Sequence, residues 1–162
     1  MSKAKYQRQV WVLPEDDANR QIAQGFTLEA SVKARNIHVL PVACGWPAIR
    51  DGFIRQYNSD LLKYSLCSMV VLVDFDGQGT RRLEEILSGV DAALKDRVFV
   101  LGAEGEPERL RTALRMTYEQ IGKALAKECS DGTRATWEHA LLAHNRSELE
   151  RMAPHVRPIL FG

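Results

Sequence analysis

Long apolar runs are missing from this 162-residue chain. None approaches the roughly 20 residues needed to cross a bilayer, so no membrane partner is expected. After the basic opening "MSKAKYQRQ", the apolar stretch "VWVLP" is too short for a signal peptide. Cysteine is scarce: Cys44, Cys67 and Cys129 are odd in number, far apart and without metal-ligand spacing. They read as free thiols in a reducing compartment, and a cytoplasmic location is expected. An excess of charge of one sign is also lacking. The formal net charge of +1 argues against a basic nucleic-acid coat, although it leaves room for a local basic patch. There are no internal repeats and no low-complexity linkers. The length favours one domain with a real core, and 45% hydrophobic with 27% charged residues is ordinary for a soluble globular protein.

What is present is an alternation of strand-like and helix-like segments. "VWVLP" (10–14) is a short apolar run, and Ala18, Ile22, Phe26 and Ala30 then recur every fourth position as one stripe of a helix. "IHVLPVACG" (37–45) is β-rich. Ile49, Phe53, Tyr57 and Leu61 share a helical face, with Pro47 suited to a first turn. "MVVLV" (69–73) is the third strand, and Leu83, Ile86, Leu87, Val90 and Leu94 form the helix after it. "RVFVLG" (97–102) is the fourth strand, followed by one helix carrying Leu110, Leu114, Ile121 and Leu125. A break at "SDGT" precedes a last helix over about 134–152, and "PHVRPILFG" is expected to be an extended tail. Near-continuous apolar strands alternating with amphipathic helices predict a parallel sheet with helices on both faces. The expected organisation is an α/β domain over 1–130, with 131–162 a C-terminal helix and tail packed on it.

Ligands of such sheets sit outside the carboxyl ends of the strands. The four strand ends read Glu15-Asp16-Asp17, Gly45, Asp74-x-Asp76 and Glu104-x-Glu106. Acids falling at three of four ends are not what scattered surface charge produces. Carboxylates from neighbouring strands suit Mg²⁺ or Mn²⁺, hard cations held by a few oxygens and several waters. Asp74 and Asp76, as the chain leaves the pleat, can swing toward a common point. Gly77 and Gly79 permit a tight turn, and Thr80-Arg81-Arg82 opens a helix whose N-terminus and arginines suit a phosphate. Either aspartate can instead cap the next helix, and Glu104 and Glu106 can instead be first-turn acids facing the helix dipole.

The apolar strand ending in Glu15, the following αβ unit and "VVLVDFDGQG" with its DxDxxG spacing together resemble the Toprim domain over roughly residues 8–110. That domain is the metal-binding catalytic module of topoisomerases, bacterial primases, recombination proteins and OLD-family nucleases. More narrowly, the chain is similar to small stand-alone Toprim-like proteins of prokaryotic defence loci, often encoded beside an ABC-type or OLD-like ATPase. The resemblance implies a Toprim-like, Rossmann-like four-stranded parallel sheet and a Mg²⁺- or Mn²⁺-dependent hydrolase that cleaves DNA or RNA in antiviral defence or DNA processing. It implies that Glu15 is a general acid/base or metal ligand and that Asp74 and Asp76 hold metal. Gly79 matches the glycine of the turn, Arg81 and Arg82 meet phosphate, and Glu106 or Glu104 completes the shell. In OLD-type members a second acid lies four residues after the glutamate, where this chain has Asn19; many members have glycine at the position of Asp16. Those departures are the features of the second reading, a catalytically inactive Toprim-like binding or regulatory subunit of a larger complex.

"DFDG" also resembles the DxDGT strand end of haloacid-dehalogenase-type phosphatases, but there the motif opens the domain and threonine follows the glycine. Here Gln78 follows Gly77 and two βα units come first. His139 and His144 are five apart, not at the spacing of a zinc helix. The modest net charge implies that substrate grip comes from a partner or from homo-oligomerisation.

Overall fold

The computed structural model describes residues 6–162; the first five residues of the basic N-terminal stretch lie outside the described residues. Four strands, β1 (Gln9–Pro14), β2 (Ile37–Val39), β3 (Cys67–Asp74) and β4 (Val98–Ala103), form one sheet in the order β2-β1-β3-β4. Every pairing is parallel, with Val12 opposite both Val39 and Val70, and Val71 opposite Val100. Because β2 lies on one side of β1 and β3 on the other, the chain reverses its winding direction at β1. The crevice between the carboxyl ends of β1 and β3 is therefore the topological switch point of the sheet.

Successive strand residues face opposite layers. Val10, Val12, Val70, Phe99 and Leu101 face one layer, made by α1 (Asp17–Leu28), α6 (Tyr118–Asp131) and α7 (Arg146–Leu160). Trp11, Leu13, Met69, Val71 and Val73 face the other layer. Its cover is α2 (Trp46–Gly52), a π-helical turn Phe53–Tyr57, α3 (Asn58–Lys63) and α4 (Gly79–Leu87). Both faces are buried, which is why the strands read as unbroken apolar runs. Helices α1 and α6 touch backbone to backbone. A Cβ on Gly25 would lie 2.0 Å from the Glu119 carbonyl oxygen, and one on Gly122 would lie 2.0 Å from that of Ile22.

Four stretches differ from the sequence expectation. Helix α4 ends at Leu87, leaving Val90 in the bend after it and Leu94 in a 3₁₀ helix, Ala92–Arg97. Only Ile37–Val39 of "IHVLPVACG" is strand. Pro41 has no N–H for a ladder, and the segment beyond runs on as an extended loop through Leu40 N–H to Val12 O and Ala43 N–H to Pro14 O. The single helix expected after β4 is two, α5 (Pro107–Leu114) and α6. Arg115 is left-handed with φ of 54°, and Thr117 and Gln120 form a reciprocal capping box that starts the second helix.

The largest difference lies at the C-terminus. Residues 134–142 are irregular, because the buried Glu128 carboxylate accepts the N–H groups of Thr136 (2.7 Å) and Trp137 (3.2 Å). The expected extended tail is instead the second half of α7, with Pro154 and Pro158 inside it. Both prolines sit on the exposed side, where water can take the carbonyls they leave unbonded, while Met152, Val156, Ile159 and Leu160 are buried opposite. This segment also closes a sheet edge. Asn145 exchanges hydrogen bonds with both backbone groups of Gly102, Glu148 accepts Val100 N–H at 2.8 Å, and Arg151 donates to Val98 O at 2.7 Å. Side chains three residues apart thus occupy the outward-facing backbone groups of β4, which would otherwise be an open template for another strand.

Candidate functional site

The site is built at the switch point, from the residue that follows β1 and the last residue of β3. Glu15 is only 8% exposed, and its Oε2 accepts the Asp74 N–H at 2.7 Å, bridging the two strand ends. Its carbonyl accepts the N–H groups of Cys44 (2.9 Å) and Gly45 (3.3 Å), so the end of the β2 loop is tied to the same point. Asp16 is the N-cap of α1 and accepts Asn19 N–H at 2.9 Å. The Asn19 side chain, 4% exposed, then donates from Nδ2 to Asp16 Oδ1 and to Asp74 Oδ1, each at 3.0 Å. One amide therefore holds two carboxyl groups together.

Burial pushes the Asp74 carboxyl up to about 8; the Asn19 hydrogen bond pulls it down, and the charge of Asp16 together with a carboxyl–carboxyl hydrogen bond pushes it further up. Burial also raises Glu15, partly offset by the Asp74 N–H, with the charges of Asp16 and Asp76 adding to the rise. Burial and the neighbouring carboxylates thus favour the protonated form of Asp74 near neutral pH. Such a carboxyl can hand over that proton, or exchange it for a cation.

Not every expected residue joins this group. Asp76 leaves the pleat with φ of 51° and meets Arg82 Nη1 at 3.0 Å. Arg82 is held by three more contacts: Glu85 at 3.3 Å, the Asp74 carbonyl at 3.4 Å and the Trp46 ring at 4.9 Å. Arg81 is 76% exposed and pairs with Glu85 within α4. Gly79 begins α4 with φ of 44°, and a Cβ there or at Gly77 would meet nothing within 4 Å, so the turn is open to solvent. Glu106 is exposed at the start of α5 and makes no side-chain cap bond. Glu104 faces His144 at 3.4 Å, and the His144 ring packs edge-on against Phe75. Among the described residues, no set of three or more His, Cys, Asp or Glu side chains is disposed to hold a metal ion.

Asp16 and Asn19 stood out in the sequence only as departures from a pattern, yet they organise the site. Their legible signal was an Asp followed three residues later by Asn at the head of an apolar-striped helix, the spacing of an N-cap. The sequence offers Arg82 as a candidate phosphate contact, but its stacking on Trp46 is not legible there. No helix among the described residues is long and apolar enough to cross a membrane. No protein-family model, curated protein or solved structure matches this chain.

Proposed function

We propose that this chain is a Toprim-like, Mg²⁺- or Mn²⁺-dependent nuclease that cleaves phosphodiester bonds of DNA or RNA within a prokaryotic defence or DNA-processing system. The observation that carries the reading is the Glu15–Asp16–Asp74 cluster at the switch point, with Asp74 raised to about 8. Acids pressed together at a strand edge are relieved by a proton or by a cation. Mg²⁺ needs only one or two protein carboxylates, the rest of its shell being waters and substrate phosphate. Asp16 and Asp74 supply that pair and Glu15 lies beside them, so the residues fit such an ion. This assignment moves one metal-binding role from Asp76 to Asp16 and leaves Glu106 outside the shell. The bound ion would polarise the phosphodiester and acidify a water.

The chain's own residues do the rest. Glu15, buried and raised, is suited to take a proton from the attacking water and return it to the leaving oxygen. The Asp74 N–H fixes the direction of its carboxylate. Arg82, braced on Trp46, and the open Gly77–Gly79 turn offer donors to a phosphate oxygen. With a net charge of only +1, grip on a long nucleic acid falls to a partner such as an ABC- or OLD-type ATPase, or to further copies of the chain.

A second reading, a Toprim-like regulatory subunit without chemistry, is favoured by two observations. Asp76 is engaged by Arg82 at 3.0 Å, and Asn19 stands where OLD-type members have an acid. Incubating the protein with plasmid, single-stranded DNA and transfer RNA in Mg²⁺ or Mn²⁺ separates the two. Cleavage lost in Asp74→Ala supports the nuclease. Cleavage surviving that substitution overturns the site, and no cleavage even with the neighbouring ATPase supports the regulatory reading.

A further inference from the structure

The layer formed by α1, α6 and α7 does not close completely on the sheet. Between them lies a cavity of about 220 Å³, on the side of the sheet that carries Val12 and Val70. Protein interiors seldom hold voids larger than a water molecule. The wall is almost wholly hydrocarbon, with Val12, Phe26, Val70, Leu125, Met152 and Val156 as its main surfaces. Water along that hydrocarbon wall finds few polar partners, so an apolar occupant is favoured there. An apolar cavity of about 150 Å³ accepts a benzene ring, and this one is half as large again.

The charged side chains of its lining are Glu128, Arg134 and Arg157. Glu128 is committed to two backbone N–H groups, and Arg134 faces Glu150 at 3.6 Å. Arg157 gives one Nη1 hydrogen bond to the Cys129 carbonyl and lies 5.9 Å from the Phe161 ring. The rest of its guanidinium has donors and no acceptor to offer. A ligand whose polar end meets Arg157 is therefore favoured if that end carries an acceptor oxygen and disfavoured if it is a cation.

We propose that this cavity binds a small, mostly hydrocarbon molecule, an alkyl or alkylaromatic chain of roughly eight to ten carbons whose single oxygen-bearing head lies at Arg157. The site lies within the sheet–helix layer and its chemistry is separate from that of the carboxylate cluster. The test uses the full chain with labelled methyl groups, titrated separately with 1-octanol, octanoate and octyltrimethylammonium. Octanol and octanoate are expected to bind below millimolar concentration and to give intermolecular NOEs to the methyls of Val70, Leu125 and Val156. The ammonium compound is expected to bind about tenfold more weakly. Filling the cavity with Ala153→Leu, or independently with Ala23→Leu, should weaken octanol binding about tenfold in whichever variant folds. No methyl response at millimolar ligand, NOEs to other residues, or unchanged affinity in a folded filling variant overturns the site. Equal binding of the ammonium compound overturns the placement of the head at Arg157.

Discussion

Replacing Asp74 by Asn is expected to stabilise the protein, and to do so only at high pH. Burial pushes the folded carboxyl up to about 8, against an ordinary 3.8 for the free side chain. The native chain therefore keeps a proton that the unfolded chain gives up. The stability tied to this group is fully present below about pH 4 and is lost as pH rises through about 8. Each pH unit in that window costs at most about 1.4 kcal/mol. From pH 5 to 8 the ceiling is about 4 kcal/mol, and the partial exposure of Asp74 cuts this to about 2 kcal/mol. Asparagine copies the protonated acid, since its Oδ1 can accept from Asn19 and its Nδ2 can donate to Asp16. Urea and thermal unfolding followed by circular dichroism, with divalent cations chelated, should give matching wild-type and Asp74→Asn curves near pH 4. At pH 8.5 the variant should gain about 2 kcal/mol, or roughly 5 °C in Tm for a chain of this size. Parallel stability profiles, or a variant weaker than wild type at pH 8.5, would refute the account of a proton held on Asp74.

Two further outcomes follow from the same structure. Asn19→Ala removes the amide that bonds both Asp16 and Asp74; it should cost about 1–3 kcal/mol in urea unfolding, with Asp74→Asn recovering part of the loss. Glu148→Ala leaves the Val100 N–H without its acceptor. Amide exchange at Val100 and Gly102 should then accelerate, with about 1–3 kcal/mol lost globally, while exchange in β1 tracks only the global loss.

The sheet, its parallel sense and the edge that carries the acids were legible because strands buried on both faces read as unbroken apolar runs. Boundaries were lost where one side chain decides the backbone. Thr117 and Gln120 divide α5 from α6 through a capping box, and Glu128 draws the 134–142 segment out of a helix by accepting Thr136 and Trp137. Pro154 and Pro158 argued for a tail, yet helix α7 forms because both prolines face water and its apolar stripe faces the sheet. At the site, Glu15 and Asp74 follow from strand position alone. The Asp16–Asn19–Asp74 bridge does not, because it needs α1 to start beside the end of β3, and sequence spacing is silent on that distance. Nor does spacing show that Asp76 takes a left-handed backbone and pairs with Arg82.

The central claim is that Asp16 and Asp74, with Glu15 beside them, form the divalent-cation site. Titrating the isotopically labelled protein with Mn²⁺ at pH 8 tests it most directly, because the ion broadens amide signals near where it binds. Selective loss of the Asp16, Asn19 and Asp74 amide signals, weaker at pH 6 and absent in Asp74→Asn, is the expected result. Broadening centred on Glu104 and Glu106, or the same broadening in Asp74→Asn, would contradict the account.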